Sequence, residues 1–110
     1  MRIRLIKKQT LTLFFNEHPR SMVSLEMWLT RVKFADWEKP EDIRSTFGSV
    51  DYLGCGTQRV VFNIGGNVYR MICKYHFGAK KVHLFICWIG THAEYSELCN
   101  NKRQYDVNKY

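Results

Sequence analysis

The sequence predicts an α+β fold in which two N-terminal helices pack on a small antiparallel sheet and a short helix follows the last strand. Apolar residues recur at helical spacing through residues 7–34, whereas glycine-separated strands occupy residues 59–89. With 110 residues, 45% of them hydrophobic, the chain is expected to form one core. We therefore predict a single domain over residues 1–110, ending in a mobile tail from about residue 100.

The first half of the chain is predicted to contain one strand and two long helices. Polar and apolar residues alternate over 2–6, which indicates a strand. Helical spacing follows over 7–17, and Pro19 suits the start of a second helix that reaches residue 34. The apolar stripe of this second helix is expected to pack on the sheet. Its members are Met22, Leu25, Trp28, Leu29 and Val32.

The second half is predicted to be three strands joined by tight turns. A short helical turn over 39–47 and a loop over 51–57 come first. The strands span 59–64, 68–77 and 82–89, with a hairpin at Gly65-Gly66 and another turn at 78–81. Gly90 or Thr91 can cap a short helix over 93–99. The last residues are polar without an apolar period, hence the expected tail.

A two-residue turn at Gly65-Gly66 would place Arg59 opposite Ile72 and Val61 opposite Arg70. Cross-strand partners share a face, so one face is apolar and suits the core under the helices. It holds Val60, Phe62, Ile64, Tyr69, Met71, Cys73 and Tyr75. The other face is mixed and basic. It holds Arg59, Val61, Asn63, Val68, Arg70, Ile72 and Lys74, joined by His76, His83, Phe85, Cys87 and Ile89.

Charge is distributed unevenly along the chain. The net charge is +7, and residues 52–93 contain five basic side chains and no acidic one, whereas residues 1–50 contain nine basic and six acidic. A positive field over the sheet favours a polyanion or an acidic partner. A basic face that only aids solubility is the alternative, and we favour nucleic acid.

No metal, cofactor or membrane is expected. Cys55, Cys73, Cys87 and Cys99 form no CxxC pair, so a zinc site is not indicated. No segment has the length of a membrane span or the pattern of a signal peptide. The expected location is the cytoplasm, where thiols stay reduced.

Two motifs resemble those of a known family. The run FNIGGNVYR at 62–70, followed by GTHAEY at 90–95, is similar to the HigB family of bacterial toxins, which belongs to the RelE-like group. The resemblance implies a twisted sheet and an activity, namely cleavage of messenger RNA bound in the ribosome. It also implies a HigA-like antitoxin with a helix-turn-helix domain, through which alone the complex would bind promoter DNA.

Carried over residue by residue, the resemblance assigns catalysis to Arg70, His92 and Tyr95. Arg70 would hold the scissile phosphate, His92 would transfer a proton, and Tyr95 would orient the nucleotide or transfer a proton. Further RNA contacts are predicted at Arg59, Asn67, Lys74, Lys80 and Lys81. This chain departs from the family twice. Cys87 stands where the last strand often has a basic residue, and Ser96 stands where aspartate often follows the tyrosine.

Two other functions remain open at this point. The Cys87 departure allows a non-catalytic RNA-binding module or an inactive toxin relic, and the basic face allows a purely structural partner in a complex. Each residue also has an ordinary interpretation by itself. His92 could simply begin a helix, Arg70 could form a surface salt bridge, and Tyr95 could be packing.

Overall fold

The computed structural model describes residues 1–54 and 56–110. Within them, five strands form one sheet in the order β1-β5-β4-β3-β2, accompanied by four α-helices. The strands are β1 (Arg2–Ile6), β2 (Asp51–Tyr52), β3 (Arg59–Ile64), β4 (Tyr69–Phe77) and β5 (Lys81–Thr91). The helices are α1 (Gln9–Glu17), α2 (Met22–Phe34), α3 (Ile43–Thr46) and α4 (His92–Asn100), with 3-10 turns at Pro19–Ser21 and Pro40–Asp42. None of the described helices is long and apolar enough to cross a membrane.

The sheet is mixed, which corrects the predicted antiparallel sheet. β1 lies parallel to β5, with Arg4 opposite His83, while the other neighbouring strands are antiparallel. The strand at 2–6 was predicted, but its partner was not. Parallel strands need a long crossover connection, and the helical segments between β1 and the later hairpins allow β1 to join the sheet at this edge.

The main core lies between the sheet and side chains of α1 and α2. Trp28 of α2 packs edge-on against Phe62 of β3 with ring centroids 5.3 Å apart, and Phe14 of α1 packs edge-on against Tyr69 of β4. The predicted apolar face is confirmed, since Val60, Phe62, Ile64, Tyr69, Met71 and Cys73 are all buried here and Tyr75 packs beside them. Of the predicted helix stripe, Met22 is exposed.

The β3–β4 hairpin has a four-residue connection, so the predicted two-residue turn is wrong. Ile64 pairs with Tyr69 and Arg59 pairs with Lys74, a register two residues away from the predicted one. Both Gly65 and Gly66 adopt positive φ, which makes glycine the least strained residue at each position. Because side chains alternate with a period of two, this even shift leaves every predicted face assignment on the two strands intact.

A β-bulge in β5 changes the face of the residues after it. Cys73 pairs with Ile86 and Ile72 pairs with Trp88, which leaves Cys87 as the extra residue. Ile89 therefore turns into the main core, and its predicted place on the basic face is wrong. Trp88 takes that place on the basic face. The bulge also changes the direction in which the end of β5 runs into α4.

The predicted loop at 51–57 contains the short edge strand β2. Asp51 pairs with Val61 and Tyr52 with Val60, which carries the sheet one strand further than predicted. Cys55, which falls in the middle of this loop, lies outside the described residues.

A second apolar cluster lies on the opposite side of the sheet, under α4 and the C-terminal residues. Its buried members are Val61, Ile72, Cys87, Trp88, Leu98 and Val107. The C-terminal segment 101–110 lies against this side, because the Lys109 amide donates to the Cys87 carbonyl at 2.8 Å and Arg59 donates to the Val107 carbonyl at 2.6 Å. The predicted mobility of this tail stays a prediction. These hydrogen bonds show which part of the sheet the tail contacts.

Candidate active site

Arg70 lies on β4 at the end of the sheet where α4 begins. It pairs with Asn63 on one side and Gly90 on the other, and its half-buried side chain is on the α4 side. Its guanidinium donates to the Asn67 side-chain oxygen and to the Tyr69 carbonyl, both at 3.3 Å. Asn67 thus orients the arginine. Within the described chain, the salt bridges involve only the N-terminal amine, so Arg70 keeps its charge available for an anion.

A capping box fixes the first turn of α4. The Thr91 hydroxyl accepts from the Glu94 amide at 3.2 Å, and the Glu94 carboxylate accepts from the Thr91 amide at 2.8 Å. The hydrogen bond from the Thr91 backbone is the main cause that lowers the pKa of Glu94 below its usual value. The His92 amide donates to the Val68 carbonyl at 3.0 Å. His92 is therefore held beside the β3–β4 turn, with its imidazole exposed.

Tyr95 lies one helical turn after His92, and residues three apart on a helix are neighbours. Its half-buried ring is 6.1 Å from that of Trp88. Burial is the largest cause that raises the pKa of Tyr95, the Cys99 thiol and Asp51 raise it further, and Arg70 acts in the opposite direction. The phenol is therefore protonated at neutral pH and can donate a hydrogen bond or, to a strongly basic alkoxide oxygen, a proton. The same influences show that Arg70 and Asp51 lie near it.

Asp51 is the residue at this end that the sequence did not single out. Its pairing with Val61 places it on the side of the sheet that carries Arg70 and Tyr95. The acid-free stretch of the sequence begins one residue later, at 52. The available signal was the alternation of Val50, Asp51 and Tyr52, which is short enough to be interpreted as loop.

Gly90 is required by close packing. A Cβ atom at this position would lie 2.6 Å from the Trp88 ring and 3.0 Å from the Glu94 carboxylate. The bulge at Cys87 brings Trp88 onto this face, and the absence of a side chain at 90 leaves room for its ring there. The glycine of the Gly-Thr-His motif thus allows β5 to run directly into the cap of α4.

The predicted site residues divide into two groups. Arg70, Asn67, His92 and Tyr95 meet at one end of the sheet, which we call the motif end. Lys74 lies about 13 Å further along β4, and the turn that carries Lys80 lies roughly twice as far, at about 3.3 Å per residue. Lys80 and Lys81 are exposed at that far turn. The structure therefore does not bring the predicted lysines to the motif end.

Arg59 is buried rather than displayed. It is 9% exposed, and one of its guanidinium nitrogens donates to the Val107 carbonyl at 2.6 Å and, more weakly, to the Gln104 carbonyl at 3.4 Å. It therefore holds the C-terminal segment on the sheet. Arg59, Lys74 and Cys87 line one cavity of about 450 Å³. In the described part of the chain, no group of three or more His, Cys, Asp or Glu residues is placed to hold a metal ion.

Comparisons with known proteins agree on one family. Residues 21–98 match the family model of the HigB toxin, described as the RelE-like toxic component of a toxin–antitoxin system. The chain is 28% identical over 88 residues to the mRNA interferase HigB of Escherichia coli O6:H1, which covers 80% of this chain and 84% of that protein. It is 30% identical over 81 residues to the mRNA interferase toxin HigB of Escherichia coli K12, covering 74% and 73%. The mRNA interferase HigB of Shigella flexneri matches to the same extent.

Proposed function

The chain belongs to the HigB family of RelE-like toxins of toxin–antitoxin systems, and from this membership we propose that it cleaves messenger RNA held in the ribosome. Cleavage in this proposal needs no metal ion, because the side chains at the motif end supply both charge and proton transfer. The product is truncated message, and the consequence is arrested translation and growth.

The observation that carries the proposal is the arrangement of the motif end. The capping box holds His92 and Tyr95 on one turn of α4. Arg70 lies on β4, on the side of the sheet that faces α4, and its charge is available. A cation, an imidazole and a protonated phenol at one end of the sheet can supply the charge stabilisation and proton transfer that metal-free RNA cleavage uses.

In the proposed reaction the substrate supplies its own nucleophile. The neutral His92 imidazole accepts the proton of the 2′-hydroxyl while the 2′-oxygen bonds to phosphorus. Arg70 stabilises the charge that develops on the phosphate oxygens. The bond from phosphorus to the 5′-oxygen breaks, and Tyr95 donates the proton that this oxygen takes up. The products are a 2′,3′-cyclic phosphate end and a 5′-hydroxyl end.

Family membership implies an antitoxin partner. We propose that it is a HigA-like protein with a helix-turn-helix domain and that the complex contacts promoter DNA only through it. The proposed place of action is the cytoplasm, where ribosomes and reduced thiols are found. No membrane takes part in this function.

A non-catalytic RNA-binding role is the second candidate. Cys87 is buried in a cavity lined by Arg59 and Lys74, where related toxins often carry a further cation on the last strand. Weaker phosphate binding would favour a protein that binds RNA without cutting it. This candidate differs from the first in predicting RNA binding without new transcript ends.

The test is induction of the chain alone, followed by mapping of transcript ends. We expect growth arrest and new ends carrying 5′-hydroxyl and 2′,3′-cyclic phosphate groups in translated messages, whereas the same message without ribosomes stays intact. Arg70→Ala should be silent, while Arg31→Ala, an exposed arginine on α2, should behave as wild type. Intact messages at high dose of the wild-type chain contradict the proposal, and ends carrying 5′-phosphate contradict its chemistry.

A further inference from the structure

The cavity lined by Arg59, Lys74 and Cys87 marks what we call the far end of the α4 side, and it has the composition of a nucleotide-binding site. Its volume of about 450 Å³ is within the usual range of small-molecule sites. Three of its lining side chains are the cations Lys7, Arg59 and Lys74, none is acidic, and the Phe85 ring forms part of the wall. Arg59 is fixed by its hydrogen bonds to the C-terminal segment, so its charge is held in place.

Two of the three non-glycine residues that have positive φ in the described part of the chain line this cavity, the third being Lys102. Lys7 and Gln58 have φ angles of 70° and 55°, in the left-handed region that costs energy for any residue except glycine. Both residues line the cavity. Strain retained at two lining positions is typical of functional sites, where the surrounding fold enforces an unfavourable conformation.

A row of aromatic rings borders the cavity across β5 and β4, and both of its end members, Phe85 and His76, line the cavity. The Phe85 and His83 centroids are 6.5 Å apart with planes at 30°, and those of His83 and His76 are 6.0 Å apart at 31°. Arg4 is exposed opposite His83 on β1. The three neighbouring strands β1, β5 and β4 contain no acidic residue. Aromatic rings among cations form the usual platform for unstacked bases and a phosphate backbone.

We propose that this cavity binds single-stranded RNA adjoining the segment that is cut. The proposal rests on the proposed function and extends it, because it assigns a second contact about 13 Å along β4 from Arg70, at about 3.3 Å per residue. A phosphate lies between Lys7 and Lys74, and the attached base stacks on Phe85. An acidic protein segment would use the cations but not the aromatic row, so RNA is the ligand favoured by the surface.

The experiment measures binding of a fluorescent single-stranded RNA whose riboses are all 2′-O-methylated, without ribosomes, at several salt concentrations. The probe cannot be cleaved through its 2′-oxygens, so the result is independent of catalysis. The variants are Lys7→Gln with Lys74→Gln, and Phe85→Leu. The matched control is Lys33→Gln with Lys39→Gln, which removes the same charge from exposed positions on and after α2. Circular dichroism melting shows that each variant is folded.

The double cavity variant should bind more weakly than the matched control, and its slope of log K against log salt should fall by about 0.7 for each lost phosphate contact. Phe85→Leu should weaken binding by about tenfold without changing that slope, because stacking does not depend on counterions. Equal losses in the cavity and control variants would show a diffuse positive field and overturn the proposal.

An acidic protein is the other ligand that the test can reveal. Poly-glutamate of the same charge as the RNA is added as competitor. If it displaces RNA at equal concentration, the cavity recognises negative charge alone, and the RNA assignment is wrong. If all variants bind the probe as the wild type does and still cleave messages on ribosomes, the proposed RNA-binding role of the cavity is wrong. The proposed function is unaffected by that result.

Discussion

The two ends of the α4 side of the sheet are built in different ways. At the motif end, hydrogen bonds between backbone and side chain hold each group: Asn67 orients Arg70, and the Thr91 cap and the Val68 carbonyl hold His92. At the far end, the Val107 carbonyl holds Arg59, while Lys7 and Lys74 line the cavity with long flexible side chains. A site held by geometry should respond sharply to substitution, whereas one made by charge should respond gradually and depend on salt.

The same residue type occurs at both ends, which allows a direct comparison. We expect His92→Ala to lower ribosome-dependent cleavage by about 10²- to 10⁴-fold, the usual contribution of one general acid–base group. His76→Ala, which removes an exposed imidazole beside the far cavity, should lower it by less than about tenfold. Single-turnover cleavage at saturating toxin measures both. Similar losses of cleavage rate in the two variants would contradict the proposal that only the motif end takes part in catalysis.

The sequence predicted the motif end well because its determinants are local. The glycine pair located the hairpin, although its turn is two residues longer than predicted, and Thr91 with Glu94 forms a capping box readable from its spacing. The even register shift then left Arg70 on its predicted face. Membership of the HigB family, implied by the two motifs, is confirmed by the match over residues 21–98.

The far end was predicted poorly because its determinants are distant in sequence. Arg59 was expected to face RNA, and nothing near it indicates that Val107, 48 residues later, accepts its hydrogen bond. Cys87, which lines the far cavity, is the extra residue of a bulge, and bulges have no strong sequence signal. The same bulge misplaced Ile89, beside the motif end. The parallel pairing of β1 with β5 likewise depends on the path of the long connection between these two strands, which local sequence does not determine. Local pattern therefore located the motif residues but not the path of the chain around them.

The C-terminal segment offers the largest expected effect on stability. Deleting residues 104–110 leaves the buried Arg59 guanidinium without the Val107 carbonyl, and a hydrogen bond to a charged group contributes about 1.5–3 kcal/mol. We expect at least that loss in the free energy of unfolding, measured by urea denaturation. Asp106→Ala, a substitution at an exposed position of the same segment, is the control. A near-zero loss would show that the segment is mobile and weakly bound, as the sequence suggested.

Gly90 allows a test confined to the motif end. Its substitution by alanine places a Cβ atom 2.6 Å from the Trp88 ring, so the ring must move or the strand must shift, at a cost of about 1–3 kcal/mol. Gly48→Ala is the matched control, because nothing lies within 4 Å of its Cβ position. We expect lower thermal stability and slower cleavage for Gly90→Ala only. Unchanged cleavage in a destabilised variant would show that the ring position does not influence His92.

The smallest expected effect concerns the cap that holds His92. Thr91→Ala removes the N-cap acceptor and should cost about 0.5–2 kcal/mol, while Thr91→Ser keeps the hydroxyl and should restore stability and cleavage together. If Thr91→Ala slows cleavage at a temperature where it is fully folded, the cap positions His92 beyond its role in stability.

Glu94, the acidic residue of the same cap, should make the stability of the protein depend on pH. Because the folded-state pKa of Glu94 is lowered, its carboxylate stabilises the folded state above the ordinary glutamate pKa, and this contribution is lost as pH falls through the folded value. Glu94→Gln keeps an acceptor for the Thr91 amide but does not titrate. The stability difference between wild type and Glu94→Gln should therefore be largest near neutral pH and shrink below about pH 4. A difference that stays constant across this range would mean that the charge of Glu94 contributes nothing to the cap.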